Sequence, residues 1–161
     1  AQPLDQHLGI VALAADLRIA RKGAGKIGLP EVNLGVLPGT GGTQRLARVV
    51  GKSRAIQLMA SGDTFAFEEA ERLGLVSEVR DGSPEEWWAS ILEYAGRFVP
   101  PSRAAMAVGL IKRAVQTGSE IPLESGLALE RELQQQLFRS DDAKEGLAAY
   151  LEKRAPKFQG R

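Results

Sequence analysis

One stretch, GLPEVNLGVLPGTGGTQRL at residues 28–46, constrains this chain more than any other. It sets a single carboxylate, Glu31, ahead of the turn Gly39-Thr40-Gly41-Gly42, and a helix-like run at residues 43–50 follows. Glycines in such a turn admit positive φ or close approach of backbone to a ligand. An acid beside exposed backbone N–H groups can move a proton next to an activated carbonyl. The residues alone leave two environments open for Glu31. One is a solvated loop. The other is a pocket in the apolar stretch that contains Leu29 and Pro30, where a carboxylate becomes a competent proton donor.

A length of 161 residues fits one domain, and 43% hydrophobic content is ordinary for a packed globule. With 21 basic and 20 acidic side chains the formal net charge is +1, too weak a field for general nucleic-acid binding. There is no cysteine, which removes disulfides and thiolate nucleophiles, leaves no expected metal site, and fits a reducing cytoplasm. No apolar run reaches the ~18 residues of a membrane helix, so no spanning segment is expected. No signal peptide is recognisable. The chain starts at Ala1 rather than Met, which reads as a trimmed or incomplete sequence.

Residues 8–15 are apolar nearly all round and fit a buried helix or a buried strand. Alternation predicts strands at 16–20 and 75–79, the latter the last clear strand, and Pro30 makes residues 27–34 an irregular or edge strand. Helices are expected at 43–50, at 53–60, at 67–73 with Gly74 as the terminating glycine, and at 84–98 with Pro84 in the first turn. Further helices are expected at 102–116, at 122–138, and from a cap at Ser140-Asp141 to about Arg154, followed by a basic tail. Strands early and helices late indicate an α/β layer with a helical appendage. The late helices carry wide apolar faces that need a covering surface, either the chain's own core or another subunit.

Several motifs fail on inspection. Gly51-Lys52-Ser53 resembles the end of a phosphate loop, but Leu46 stands where that loop needs glycine. The third glycine of a dinucleotide loop would fall on Gln44. No serine occupies a Gly-x-Ser-x-Gly elbow. His7 has no evident partner and reads as an ordinary histidine. Trp87 and Trp88 are adjacent on a helix, so at most one can face a core.

The stretch at 28–46, together with ALAADLRIA at 12–20, GKSRAIQLMASGD, EEAERLGLV and KEGLAAYLEKRAPKFQGR in that order, resembles the C-terminal portion of the enoyl-CoA hydratase/isomerase (crotonase) family, over roughly residues 8–161. The resemblance implies an α/β fold, the C-terminal half of a crotonase-like ββα spiral followed by a helical oligomerisation region. It divides the chain into a partial spiral core with the active-site loop at 1–80 and a helical region at 81–161. It implies chemistry on acyl-CoA thioesters through an enolate held in an oxyanion hole, with coenzyme A as part of the substrate and no permanently bound cofactor. It implies a homotrimer or hexamer. Glu31 matches the glutamate that exchanges a proton with a substrate carbon, and Gly39 the glycine lining the water and substrate site. Tyr150 matches an aromatic that contacts coenzyme A across a subunit boundary, and Lys153 a basic residue near its phosphates.

Three departures accompany the resemblance. The first catalytic glutamate would fall on Ile10. The glycine giving the second oxyanion N–H would fall near His7, where Gln6-His7-Leu8 replaces a glycine run and only Gly9 remains. The first oxyanion donor would belong upstream of Ala1. With one glutamate, a double-bond shift suits these residues better than hydration, and the chain as given is expected to be a poor hydratase. The competing readings are a truncated or non-catalytic module that binds coenzyme A, and a structural subunit that completes its site with another chain.

Overall fold

The computed structural model describes residue 9 and residues 11–161. Two compact units divide the chain, one running through Trp88 and the other Ala89–Arg161.

The first unit opens with a helical turn in which the Leu13 N–H donates to the Gly9 carbonyl at 3.2 Å. That settles the apolar run as helical where it is described. Four strands of three residues follow, β1 (Ile19–Arg21), β2 (Lys26–Gly28), β3 (Thr64–Ala66) and β4 (Glu78–Arg80). β1 pairs in parallel with β4 and β2 pairs antiparallel with β3. Between β2 and β3 lie a 3-10 helix (Glu31–Leu34), α1 (Gly42–Val50) and α2 (Lys52–Ser61); α3 (Phe67–Arg72) precedes β4. Leu13, Ala20, Leu29, Leu46, Leu75 and Val76 form the largest part of the core.

Three sequence expectations need correction here. Residues 27–34 are not one strand. β2 stops at Gly28, and after Pro30 the chain coils, with the Asn33 N–H donating to the Pro30 carbonyl at 2.9 Å and the Val36 N–H to Glu31 at 3.3 Å. The strand expected at 75–79 is Glu78–Arg80 instead. The Leu75 and Val76 amides both donate to the Ala70 carbonyl, at 2.8 and 3.2 Å, so they finish α3 and cannot serve a ladder. The strand expected at 16–20 likewise begins at Ile19. β3 is a strand for which the sequence carries no alternation signal.

The remaining helices are α4 (Pro84–Gly96), α5 (Ala105–Gly118), α6 (Leu123–Phe138) and α7 (Asp141–Leu151). Among the described residues no strand interrupts this half. Ser140 caps α7 as expected, its Oγ accepting the Ala143 N–H at 3.1 Å. α7 ends earlier than Arg154, because Lys153 takes a left-handed φ of 54° and the Arg154 N–H turns back to the Ala149 carbonyl at 3.0 Å. Burial in these helices is sparse. α4 and α5 bury no residue, α6 buries Leu133, and α7 buries Asp142 and Ala149.

Candidate active site

Glu31 is the first residue of the 3-10 helix and only 8% exposed. Neither carboxylate oxygen has a hydrogen-bond partner among the described residues. The solvated-loop alternative is therefore wrong. Burying a carboxylate without a partner is costly, by several kcal/mol for an ionised group. Native structures leave few such groups, and each calls for a reason. A substrate that meets the carboxylate is such a reason. The backbone around it is well held. Gly35 closes the 3-10 helix at a left-handed φ of 72°, its N–H directed to the carbonyls of Glu31 and Val32.

The glycine turn feeds α1. The Gly42 N–H donates to the Gly39 carbonyl at 3.0 Å and the Thr43 N–H to the buried Pro38 at 3.3 Å. Positive φ falls on Thr40 (53°) and Gly41 (88°), not on Gly39. A threonine in this region is uncommon and costs roughly 1–2 kcal/mol. Gly39 is exposed, and a Cβ built on it meets nothing within 4 Å. Its α carbon faces open space. Gly9 is the opposite case, since a Cβ there would lie 2.8 Å from the Gly28 carbonyl. The departures at Gln6, His7, Leu8 and Ile10 lie outside the described residues.

Tyr150 and Lys153 belong to the second unit. Both are exposed, Tyr150 at 82%, and the Lys153 N–H donates to the Tyr150 carbonyl at 3.2 Å. The structure thus gathers them at one end of α7. What fixes that end was not anticipated. Arg154 grips Glu145 and Glu152, and the tail returns to α7, where the Asp142 carboxylate accepts the Gln159 and Gly160 N–H groups, each at 2.7 Å. Arg154 lowers the Glu145 carboxyl to a pKa of about 2, and the Lys157 N–H adds to the shift.

The first unit also carries an apolar depression of about 560 Å³ flanked by Leu17, Phe67, Val76, Trp87 and Trp88. Its Arg18 guanidinium is committed to the Leu75 and Ala15 carbonyls. Trp88 is 56% exposed and Trp87 less so, as expected for neighbours on a helix. Among the described residues no group of histidine, aspartate and glutamate could hold a metal ion, and no helix is long and apolar enough to cross a membrane.

The enoyl-CoA hydratase/isomerase family model matches residues 9–161. The chain belongs to that family. It is 40% identical over 153 residues to the 2,3-dehydroadipyl-CoA hydratase of Escherichia coli K12, an alignment covering 94% of this chain and 57% of that protein. It is 40% identical over 148 residues to the crotonyl-CoA hydratase of Syntrophomonas wolfei, covering 92% and 55%. Among solved structures, an enoyl-CoA hydratase of Geobacillus kaustophilus HTA426 superposes with a TM-score of 0.87 at 50% identity, covering 92% of this chain and 55% of that one. The enoyl-CoA hydratase of Bacillus anthracis gives 0.86 at 35% identity, covering 95% and 57%. This family member therefore has a crotonase-like α/β fold, and it spans little more than half the length of these relatives.

Proposed function

We propose that this protein acts on enoyl-CoA thioesters, with Glu31 exchanging the proton at a substrate carbon while backbone N–H groups stabilise the thioester enolate. The burial of Glu31 with both oxygens unpartnered carries this reading. In a double-bond shift Glu31 takes a proton from the carbon next to the thioester and returns it two carbons away, and the dienolate forms between the steps. In hydration water adds its oxygen to the β carbon, Glu31 delivers its proton to the α carbon, and the proton that water loses returns to the Glu31 carboxylate. The two reactions share the enolate and the same carboxylate. Coenzyme A enters and leaves with the substrate, so no resident cofactor is needed. Gly39 lines the path to the reacting carbon, and Tyr150 and Lys153 contact coenzyme A.

In this reading the sequence is the C-terminal portion of the family's domain. Residues 1–80 supply the core with the active-site loop, and residues 81–161 assemble copies into a homotrimer or hexamer. The exposed apolar side chains of α5 and α6 support assembly, and the cysteine-free sequence fits a cytoplasmic setting.

The test compares the protein as encoded with Glu31→Gln, which keeps the shape and removes the acid. Hydration of crotonyl-CoA and isomerisation of a 3-enoyl-CoA are both assayed. The rate is expected to fall by about two to four orders of magnitude, with no drop in thermal unfolding temperature, because glutamine fills the same space and the carboxylate oxygens have no hydrogen bond to lose among the described residues. A variant that keeps most of its activity makes Glu31 a loop residue and ends this reading.

A further inference from the structure

The chain on both sides of Glu31 rests on one short loop far away in sequence. On the N-terminal side, Gly28 pairs with Thr64 in the β2–β3 ladder. A Cβ on Gly28 would sit 2.6 Å from the Asp63 carbonyl and 3.0 Å from Thr64 Cγ2. On the C-terminal side, a Cβ on Gly62 would sit 2.8 Å from Val32 Cγ1 and 2.9 Å from Asn33 Nδ2. Asn33 Nδ2 also donates to the Gly62 carbonyl at 3.4 Å. Residues 62–64 therefore touch the backbone three positions before Glu31 and the side chains one and two positions after it.

The loop itself is firmly seated. Gly62 is buried and ends α2 at a left-handed φ of 67°, its N–H donating to Leu58 at 3.3 Å. The Asp63 N–H donates to Ser61 Oγ at 3.3 Å, and Ser61 Oγ donates to the Leu58 carbonyl at 3.2 Å. α2 is anchored in the core through the fully buried Ala55. A side chain at position 62 fails twice, by conformation and by space. Contacts therefore run from the core helix through residues 62–64 to the residues that flank Glu31 in the chain. Glu31 makes no hydrogen bond of its own among the described residues, so its placement depends on its flanks.

We infer that Gly62 and Asn33 are positioning residues for Glu31, and that the loop at 62–64 sets where the carboxylate meets the substrate carbon. This rests on the proposed role of Glu31. Neither residue takes part in the chemistry. Their effect comes through the geometry of proton transfer, where displacement by about 1 Å can cost a hundredfold in rate.

The experiment introduces Asn33→Asp and Gly62→Ala into the protein as encoded, each alone and together with Glu31→Gln, and measures isomerisation of a 3-enoyl-CoA and hydration of crotonyl-CoA, with kcat, KM and thermal unfolding for each. Asn33 is exposed, and aspartate keeps its shape while removing the donor and facing the Gly62 carbonyl with a second acceptor, so that variant folds even if Gly62→Ala does not. Each single substitution is expected to lower kcat about ten- to a hundredfold with KM little changed. In the Glu31→Gln background the same substitution is expected to change the residual rate less than about twofold, since both act through one group. Losses that multiply in that background overturn the inference, as does Asn33→Asp with wild-type kcat. Full activity in Glu31→Gln alone overturns the proposed function instead, which keeps the two failures distinct.

Discussion

Arg154 sets two guanidinium nitrogens against the two oxygens of Glu145, at 2.6 and 2.9 Å. The fork matches the carboxylate, and the Lys157 N–H donates to the same group at 2.8 Å. This pair fastens the basic tail to α7. Because the carboxyl is lowered to about 2, its contribution is fully present above the ordinary glutamate value of 4.5 and is lost as pH falls through the folded value. The Lys157 amide shift, followed by NMR from pH 7 downward, is expected to titrate with a midpoint near 2. A midpoint near 4 means that Arg154 does not hold Glu145 in solution.

Asp142 is the second fastening and the deeper one, at 2% exposure. Asparagine there keeps one acceptor and turns an NH2 group toward a backbone N–H. Asp142→Asn is expected to destabilise the fold by about 1–3 kcal/mol, read as a lower denaturation midpoint at unchanged slope. An unchanged midpoint shows that the Asp142 contacts with Gln159 and Gly160 contribute nothing to stability.

Two glycines give opposite outcomes. Gly28→Ala places its methyl on the Asp63 carbonyl and is expected to cost about 1–3 kcal/mol. Gly39→Ala meets open space at a residue without positive φ and is expected to stay within about 0.5 kcal/mol of wild type. A loss of turnover in Gly39→Ala at full stability then reports contact with substrate. Wild-type turnover removes Gly39 from the site.

Ile111 and Val115 on α5 are 60% and 65% exposed, and Leu123 and Leu127 on α6 are 75% and 43% exposed. Covering such surface is worth about 25 cal/mol per Å². Sedimentation at micromolar concentration is expected to show a homo-oligomer that Ile111→Glu weakens. A stable, soluble wild-type monomer rejects assembly through these helices.

The helices were legible because their signals are local. Gly74 follows α3 at φ 74°, Ser140 caps α7, and Pro84 starts α4. Glu31 was legible as a carboxylate ahead of a glycine turn, but its burial was not, since solvated and buried positions share one local sequence. β3 gave no signal because three residues leave alternation too little length, and the same shortness displaced the expected bounds of β1, β2 and β4. The pairing of Asn33 with Gly62, of Glu145 with Arg154 and of Asp142 with Gln159 escaped for another reason. These partners are 29, 9 and 17 positions apart, and no helical or strand period links them.

The β1–β4 pair carries a consequence in time rather than in space. Its partners, Ile19 with Glu78 through Arg21 with Arg80, are joined only after the intervening chain with α1, α2 and α3 has been gathered between them. Closing so long a loop is entropically dear, while each helix can form from its own neighbours. β1 and β4 are therefore the natural last contact of the first unit's assembly. Weakening Ala20 or Val79 should hasten unfolding and leave the folding rate nearly untouched.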